Sequence, residues 1–192
     1  TISYADITCV EGDPYRGNYG QTIMYTVMRD KFDLILMNRA EGAGADIIQG
    51  LEVRQIQFNG NTVNVSTSSA NFQSRFIVGA DGAGSIVSRA LNNGIIKHDR
   101  AMAIETEVVV SNQDLKKWES KISIGLGQLL FGYAWLFPKS DHFPIGLINF
   151  SHKPKDLKER YWGFLNSLNL NHYTVTKWSS SFISLCNGQT IL

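Results

Sequence analysis

Three short stretches of this sequence carry residues whose types and spacing could do chemistry. The first is Arg29-Asp30-Lys31-Phe32-Asp33, where a guanidinium opens what reads as a helix. A helix N-terminus favours negative charge, so an arginine there is electrostatically misplaced. A phosphate or carboxylate ligand nearby would remove the conflict; a solvated surface arginine is the plainer reading. The second is Gly79-Ala80-Asp81-Gly82-Ala83-Gly84-Ser85. Glycines let backbone come close to a ligand, and an aspartate accepts hydrogen bonds from ribose or ribityl hydroxyls. The same residues also suit a tight turn in which Asp81 caps the following helix. The third is Phe131-Gly132-Tyr133-Ala134-Trp135-Leu136-Phe137-Pro138-Lys139. On a strand, the alternation of Tyr133, Trp135 and Phe137 puts three aromatic rings on one face. That face is either ordinary core or one wall of a cavity for a hydrocarbon ligand. Ala134 and Leu136 make the opposite face apolar too, and Pro138 ends the strand because it cannot donate to a central ladder.

Other chemistries find no support. Gly42-Ala43-Gly44 starts like a dinucleotide fingerprint but reaches Ile47 where the third glycine belongs, and Gly125-Leu126-Gly127 is likewise incomplete. His98, His142, His152 and His172 lack metal-ligand spacing, and Cys9 and Cys186 have no near partners. No Gly-x-Ser-x-Gly elbow is present to hold a nucleophilic serine. Asn64-Val65-Ser66 and Asn149-Phe150-Ser151 match the glycosylation sequon by chance. With 18 basic residues against 17 acidic ones, the chain has no electrostatic footprint for nucleic acid.

The elements that must position these residues follow from composition and pattern. A chain of 192 residues, 43% apolar and 18% charged, has an ordinary globular mix. It is long enough for one large domain or two small ones and needs no disulfide. No apolar run reaches the roughly 18 residues of a membrane span and no charged-then-apolar leader opens the chain, which predicts an intracellular protein. Short β-type runs at 7–10 and 23–27 flank a glycine-rich loop at 12–20. Asp30 reads as the N-cap of a helix carrying Phe32, Ile35, Leu36, Ala40 and Ala43 at helical spacing. Strands follow at 45–49, 53–58 and 62–67, the last two joined by a turn at Asn59-Gly60-Asn61. A strand over 72–78 runs into the Asp81 loop and a helix over 85–91, a unit of α/β architecture that often meets phosphate. After about Gly94 the pattern turns to strands at 101–110, 122–126, 129–137 and 143–150, a helix over 156–168 and a β-type stretch over 173–185. The final residues, Cys186 to Leu192, read as a turn and the opening of a strand, as in a central section of a longer protein.

In this order and spacing, the three stretches resemble the geranylgeranyl reductase family of flavoproteins, within the group related to para-hydroxybenzoate hydroxylase. Arg29, Phe32 and Asp33 match its Arg-x-x-Phe-Asp. Gly79-Ala80-Asp81-Gly82, with Ser85 and Arg89 beyond, matches its Asp-Gly motif. Tyr133, Trp135, Phe137 and Pro138 match Tyr-x-Trp-x-Phe-Pro, the most specific of the three, and Gly146 stands at the first downstream glycine. Ile148 replaces the second. The resemblance implies an α+β fold: a partial FAD-binding α/β domain (helix, β-meander and Asp-Gly strand) at 27–94, and an antiparallel-sheet substrate domain formed by 1–26 and 95–192. It implies FAD as cofactor, with Arg29, Asp81 and Gly82 contacting it, and NAD(P)H as electron donor. It implies reduction of a prenyl chain, a small-molecule or lipid substrate, against Tyr133, Trp135, Phe137, Pro138 and Gly146. The place of action would be the cytoplasm, with scope for peripheral membrane contact. The family's terminal FAD motifs fall outside the sequence, so the chain alone is expected to be inactive. An aromatic-hydroxylase type of flavin monooxygenase shares Arg29 and Asp81-Gly82, and a non-catalytic binding fragment is the third reading.

Overall fold

In chain order, strands β1 (Tyr4–Cys9) and β2 (Tyr15–Asn18) precede helix α1 (Arg29–Gly42). A meander follows, of β3 (Val53–Asn59), β4 (Thr62–Thr67) and β5 (Asn71–Ser74), then helix α2 (Ile86–Leu91). The rest comprises β6 (Asp99–Val110), α3 (Asn112–Lys117), β7 (Lys121–Leu126), β8 (Gly132–Leu136), β9 (Phe143–Asn149), α4 (Leu157–Ser167) and β10 (Tyr173–Leu185). The structure is a computed structural model that describes residues 1–91, 99–151 and 155–185. The chain divides into two compact units, one of Thr1–Phe32 with Arg100–Ile183 and one built on Asp33–Asp99.

The first unit is a seven-stranded sheet in the order β10-β6-β9-β8-β7-β1-β2. The pairs β1/β2, β6/β9, β7/β8 and β8/β9 are antiparallel, but β1 lies parallel to β7, from Tyr4 opposite Lys121 to Cys9 opposite Leu126. The expected antiparallel sheet is therefore mixed at one pair. The physical reason is connection length: a hairpin enforces opposite directions, whereas β1 and β7 are joined through the whole second unit. On one face, Ala134, Leu136, Ile145 and Leu147 pack under α4. That helix buries Leu157, Tyr161, Phe164 and Leu165, an i, i+4, i+7, i+8 stripe. Gly125 of β7 admits the Phe164 ring; a Cβ there would lie 2.7 Å from Cε2. The hydroxyls of Thr106 on β6 and Tyr161 on α4 hydrogen-bond inside this core.

Two elements of this unit depart from the sequence expectation. β2 forms inside the stretch read as a loop, whereas 23–27 makes only the bridge from Met24 to Ile2. Helix α3 was not anticipated, although Ser111-x-x-Asp114 is a capping pattern. Ser111 Oγ accepts from Asp114 N at 3.1 Å and donates to Asp114 Oδ2 at 2.7 Å. The buried Asp114 carboxylate also accepts from Asn171 N and Nδ2, at 3.0 and 3.2 Å, tying α3 to the approach to β10.

The second unit packs α2 on the meander through Ile56, Val63 and Val87. Asn59 pairs with Thr62, so Gly60 and Asn61 form the hairpin turn and only Gly60 takes positive φ, at 57°. Helix α1 begins at Arg29, which moves Asp30 from the expected cap into the first turn. None of its residues is buried; Leu34, Ile35 and Leu36 are exposed. The expected strand at 45–49 is irregular, and the one at 72–78 stops at Ser74, leaving Phe76 and Val78 exposed at 80% and 88%. A β-rich run becomes a strand only where a neighbour completes its ladder; β4 does so for Phe72–Ser74, and neither 45–49 nor 75–78 has a ladder partner among the described residues. The expected boundary near Gly94, His98, His152, and the turn and strand opening at 186–192 lie outside the described residues.

Candidate functional site

The glycines and aspartate between β5 and α2 form an exposed turn whose side chains organise the next helix. Asp81 Oδ1 accepts from Ser85 Oγ at 2.5 Å and Oδ2 accepts from Ile86 N at 2.6 Å. Ser85 Oγ in turn accepts from Ser88 N at 2.9 Å. The hydrogen bond from Ser85 does most to hold the Asp81 carboxyl below the usual carboxylate range; burial opposes it and the Ile86 N–H assists. Asp81 is thus a cap for α2, as the plainer sequence reading had it. Each carboxylate oxygen still has a second lone pair for a ligand hydroxyl. Gly82 has φ +75° and no atom within 4 Å of where a Cβ would stand, so the backbone here is open to approach. Gly79 is different: a Cβ would lie 2.6 Å from Val87 Cβ, so this glycine serves helix packing. A cavity of about 460 Å³ adjoins the turn, bounded by Val53, Ile56, Ile77, Asp81, Val87 and Arg89.

In the first unit, Tyr133, Trp135 and Phe137 share the sheet face opposite α4. Trp135 and Phe137 stack at 6.2 Å with planes 22° apart, and Tyr133 lies 5.9 Å from Trp135. The Trp135 ring rests on its cross-strand partner Gly146, where a Cβ would come 2.4 Å from Cζ2 and 2.5 Å from Ile104 O. Its Nε1 donates to Glu105 Oε2 at 3.1 Å. Trp135 is 8% exposed, whereas Tyr133 and Phe137 are half-buried. Pro138 is buried and its carbonyl accepts from Thr26 Oγ1 at 2.8 Å. Ile148 faces Tyr133 across the strands and is buried.

Beside Phe137 opens a cavity of about 420 Å³ that includes Val27, Met28, Arg29, Glu105 and Lys139 in its lining. Lys139 Nζ donates to Val27 O at 2.5 Å. Burial pushes the Lys139 ammonium below its ordinary value, against the opposing pull of Glu105. A larger cavity, about 700 Å³, also touches Pro138 and Lys139 and has a mixed lining that includes Ile2, Leu115, Lys116 and Glu119. The cavity beside Phe137 thus brings Phe137 together with Arg29; Tyr133 and Trp135 belong to the same sheet face but do not line it. Sequence reasoning passed over Glu105. Its signal was available, since Glu105 and Glu107 are alternate carboxylates in an otherwise apolar strand and so share a face.

The model of the FAD binding domain family matches residues 14–138. The chain belongs to the FAD-binding domain family. It is 32% identical over 149 residues to the chloroplastic geranylgeranyl diphosphate reductase of Oryza sativa subsp. japonica, a match covering 69% of this chain and 32% of that protein. The chain spans about a third of the length of the curated relatives it matches. Two solved structures share the fold. A flavoprotein/dehydrogenase from Cytophaga hutchinsonii gives a TM-score of 0.68 at 14% identity, covering 94% of this chain and 50% of that one. The halogenase PltM in complex with phloroglucinol and FAD gives 0.65 at 15% identity, covering 94% and 43%. FAD is the cofactor this family binds, and the residues present suit it: the spare acceptor positions of Asp81 and the open backbone at Gly82 fit a hydroxyl-bearing chain. No helix among the described residues is long and apolar enough to cross a membrane.

Proposed function

We propose that the full-length protein is an FAD-dependent oxidoreductase that saturates carbon–carbon double bonds of a geranylgeranyl-type prenyl chain, with NAD(P)H as electron donor. The observation that carries this reading is the aromatic row of Tyr133, Trp135 and Phe137 on the sheet face opposite α4, with the Trp135 ring seated on Gly146. The similarity to the rice reductase supports it. When bound and reduced by NAD(P)H, FAD would supply the hydride that, together with a proton, saturates the double bond. This chain's residues do the positioning. Asp81 accepts from a cofactor hydroxyl while Gly82 lets the backbone approach, and Arg29 serves the cofactor's anionic or ribityl part. Tyr133, Trp135 and Phe137, with Pro138 closing the strand, give the prenyl chain an apolar wall and keep bulk water from it.

The test is product analysis with full-length protein, FAD, NADPH and geranylgeranyl diphosphate. The expected product is heavier by one molecule of hydrogen for each bond saturated. Oxygen consumption with a hydroxylated product would overturn the proposal in favour of a monooxygenase.

A further inference from the structure

The cavity beside Phe137 has a polar end that the apolar wall does not explain. Its lining sets Arg29, Lys139 and Lys177 against Glu105 and Glu107, with His142 alongside. Much of this charge is committed. Lys177 Nζ lies 3.3 Å from Glu107 Oε1, and Glu105 Oε2 is occupied by the Trp135 indole N–H. His142 Nδ1 meets Asp141 Oδ1 at 2.7 Å. Lys139 differs in that the one hydrogen bond shown for its ammonium goes to a neutral carbonyl, that of Val27. An ammonium has three protons to donate. Burial disfavours the charge at Lys139 more than the Glu105 carboxylate supports it. The same lining also includes apolar Val27, Met28 and Phe137, and Phe137 stacks on Trp135.

Resting on the prenyl-reductase reading, we infer that Lys139 holds the anionic end of the substrate, a phosphate or diphosphate ester, while the chain runs from Phe137 along the aromatic row. Lys139 is then a specificity-determining residue: it selects the phosphorylated prenyl compound over the free alcohol. The neighbouring carboxylates fix the cations and the indole in place, and an arriving phosphate supplies further acceptors for the half-buried Lys139 ammonium.

The experiment compares geranylgeranyl diphosphate with geranylgeraniol on the FAD-loaded full-length protein and its Lys139→Met and Lys139→Arg variants. Inorganic pyrophosphate binding is titrated in parallel. Loss of a charge-assisted contact should raise KM for the diphosphate about 10- to 100-fold in Lys139→Met. KM for the alcohol should stay unchanged, pyrophosphate binding should weaken by a similar factor, and Lys139→Arg should recover most of both. Equal effects on the two substrates, or none on either, would overturn the inference. If the unaltered protein reduces neither substrate, the prenyl reading fails. The titration then decides the anion site alone: weaker pyrophosphate binding in Lys139→Met upholds it and unchanged binding removes it.

Discussion

At Gly146, the absence of a side chain is what seats the Trp135 ring. A methyl group there would meet both the indole and the Ile104 carbonyl, so neither a rotamer change nor a shift of one strand clears it. Gly146→Ala is expected to cost about 1–3 kcal/mol, the range for overpacking a well-filled site. It should also alter tryptophan fluorescence, and denaturant unfolding followed by that signal checks both. Asp81 makes a second residue-scale case because the hydrogen bonds that hold the turn and the proposed cofactor contact fall on one carboxylate. Asp81→Ala should lower the stability of the second unit by about 1 kcal/mol, whereas Asp81→Asn, still a good cap, should lower it much less. The carboxyl is held below its ordinary value in the folded state. Its contribution is therefore complete above the ordinary carboxylate value and is lost as pH falls through the lowered one. Acid unfolding of the unaltered chain should show this loss, and Asp81→Asn should lack that component. The sequence made Gly146 and Asp81 visible as candidates, but not that Trp135 closes over one or that Ser85 and Ile86 hold the other. Those facts depend on cross-strand register and on where α2 begins.

At the scale of elements, legibility follows whether a pattern meets a partner among the described residues. Helix α4 and strands β6 to β9 were readable because their apolar positions meet one another in a single core. The run at 75–78 has the composition of a strand and α1 the spacing of a helix. With no sheet neighbour or packing surface among the described residues, the first stays irregular and the second forms without burying a residue. β2 was missed for the opposite reason: Tyr15-Arg16-Gly17-Asn18 has weak β character, and its ladder with β1 creates it. The bond between Thr106 and Tyr161 joins β6 to α4 where propensity is silent. Tyr161→Phe removes it while keeping the ring, and Thr106 Oγ1 can still donate to Ile145 O at 3.3 Å. The expected loss is about 1 kcal/mol, measured as a shift of the urea midpoint without change of slope. Substituting the α1 leucine, Leu36→Gln, should change the stability of the 192-residue chain by no more than about 0.5 kcal/mol, since the side chain is exposed. A large loss there would mean that α1 is packed in solution.

At the scale of the molecule, one chain path explains both the mixed sheet and the two units. The chain leaves the first unit after β2, builds the meander and the Asp81 turn, and returns to lay β7 parallel to β1. Asp81 and Gly82 belong to the second unit, whereas Arg29 and the aromatic row belong to the first, which is why local pattern alone could nominate each without relating them. The central claim, that these parts serve reduction of a prenyl double bond, is tested most directly by a single anaerobic turnover. FAD-loaded full-length protein is reduced in advance, mixed with geranylgeranyl diphosphate without oxygen, and followed by flavin absorbance and product mass. The account predicts that the flavin reoxidises as the product gains hydrogen. A flavin that stays reduced until oxygen is admitted, with a product that then gains an oxygen atom, would contradict it.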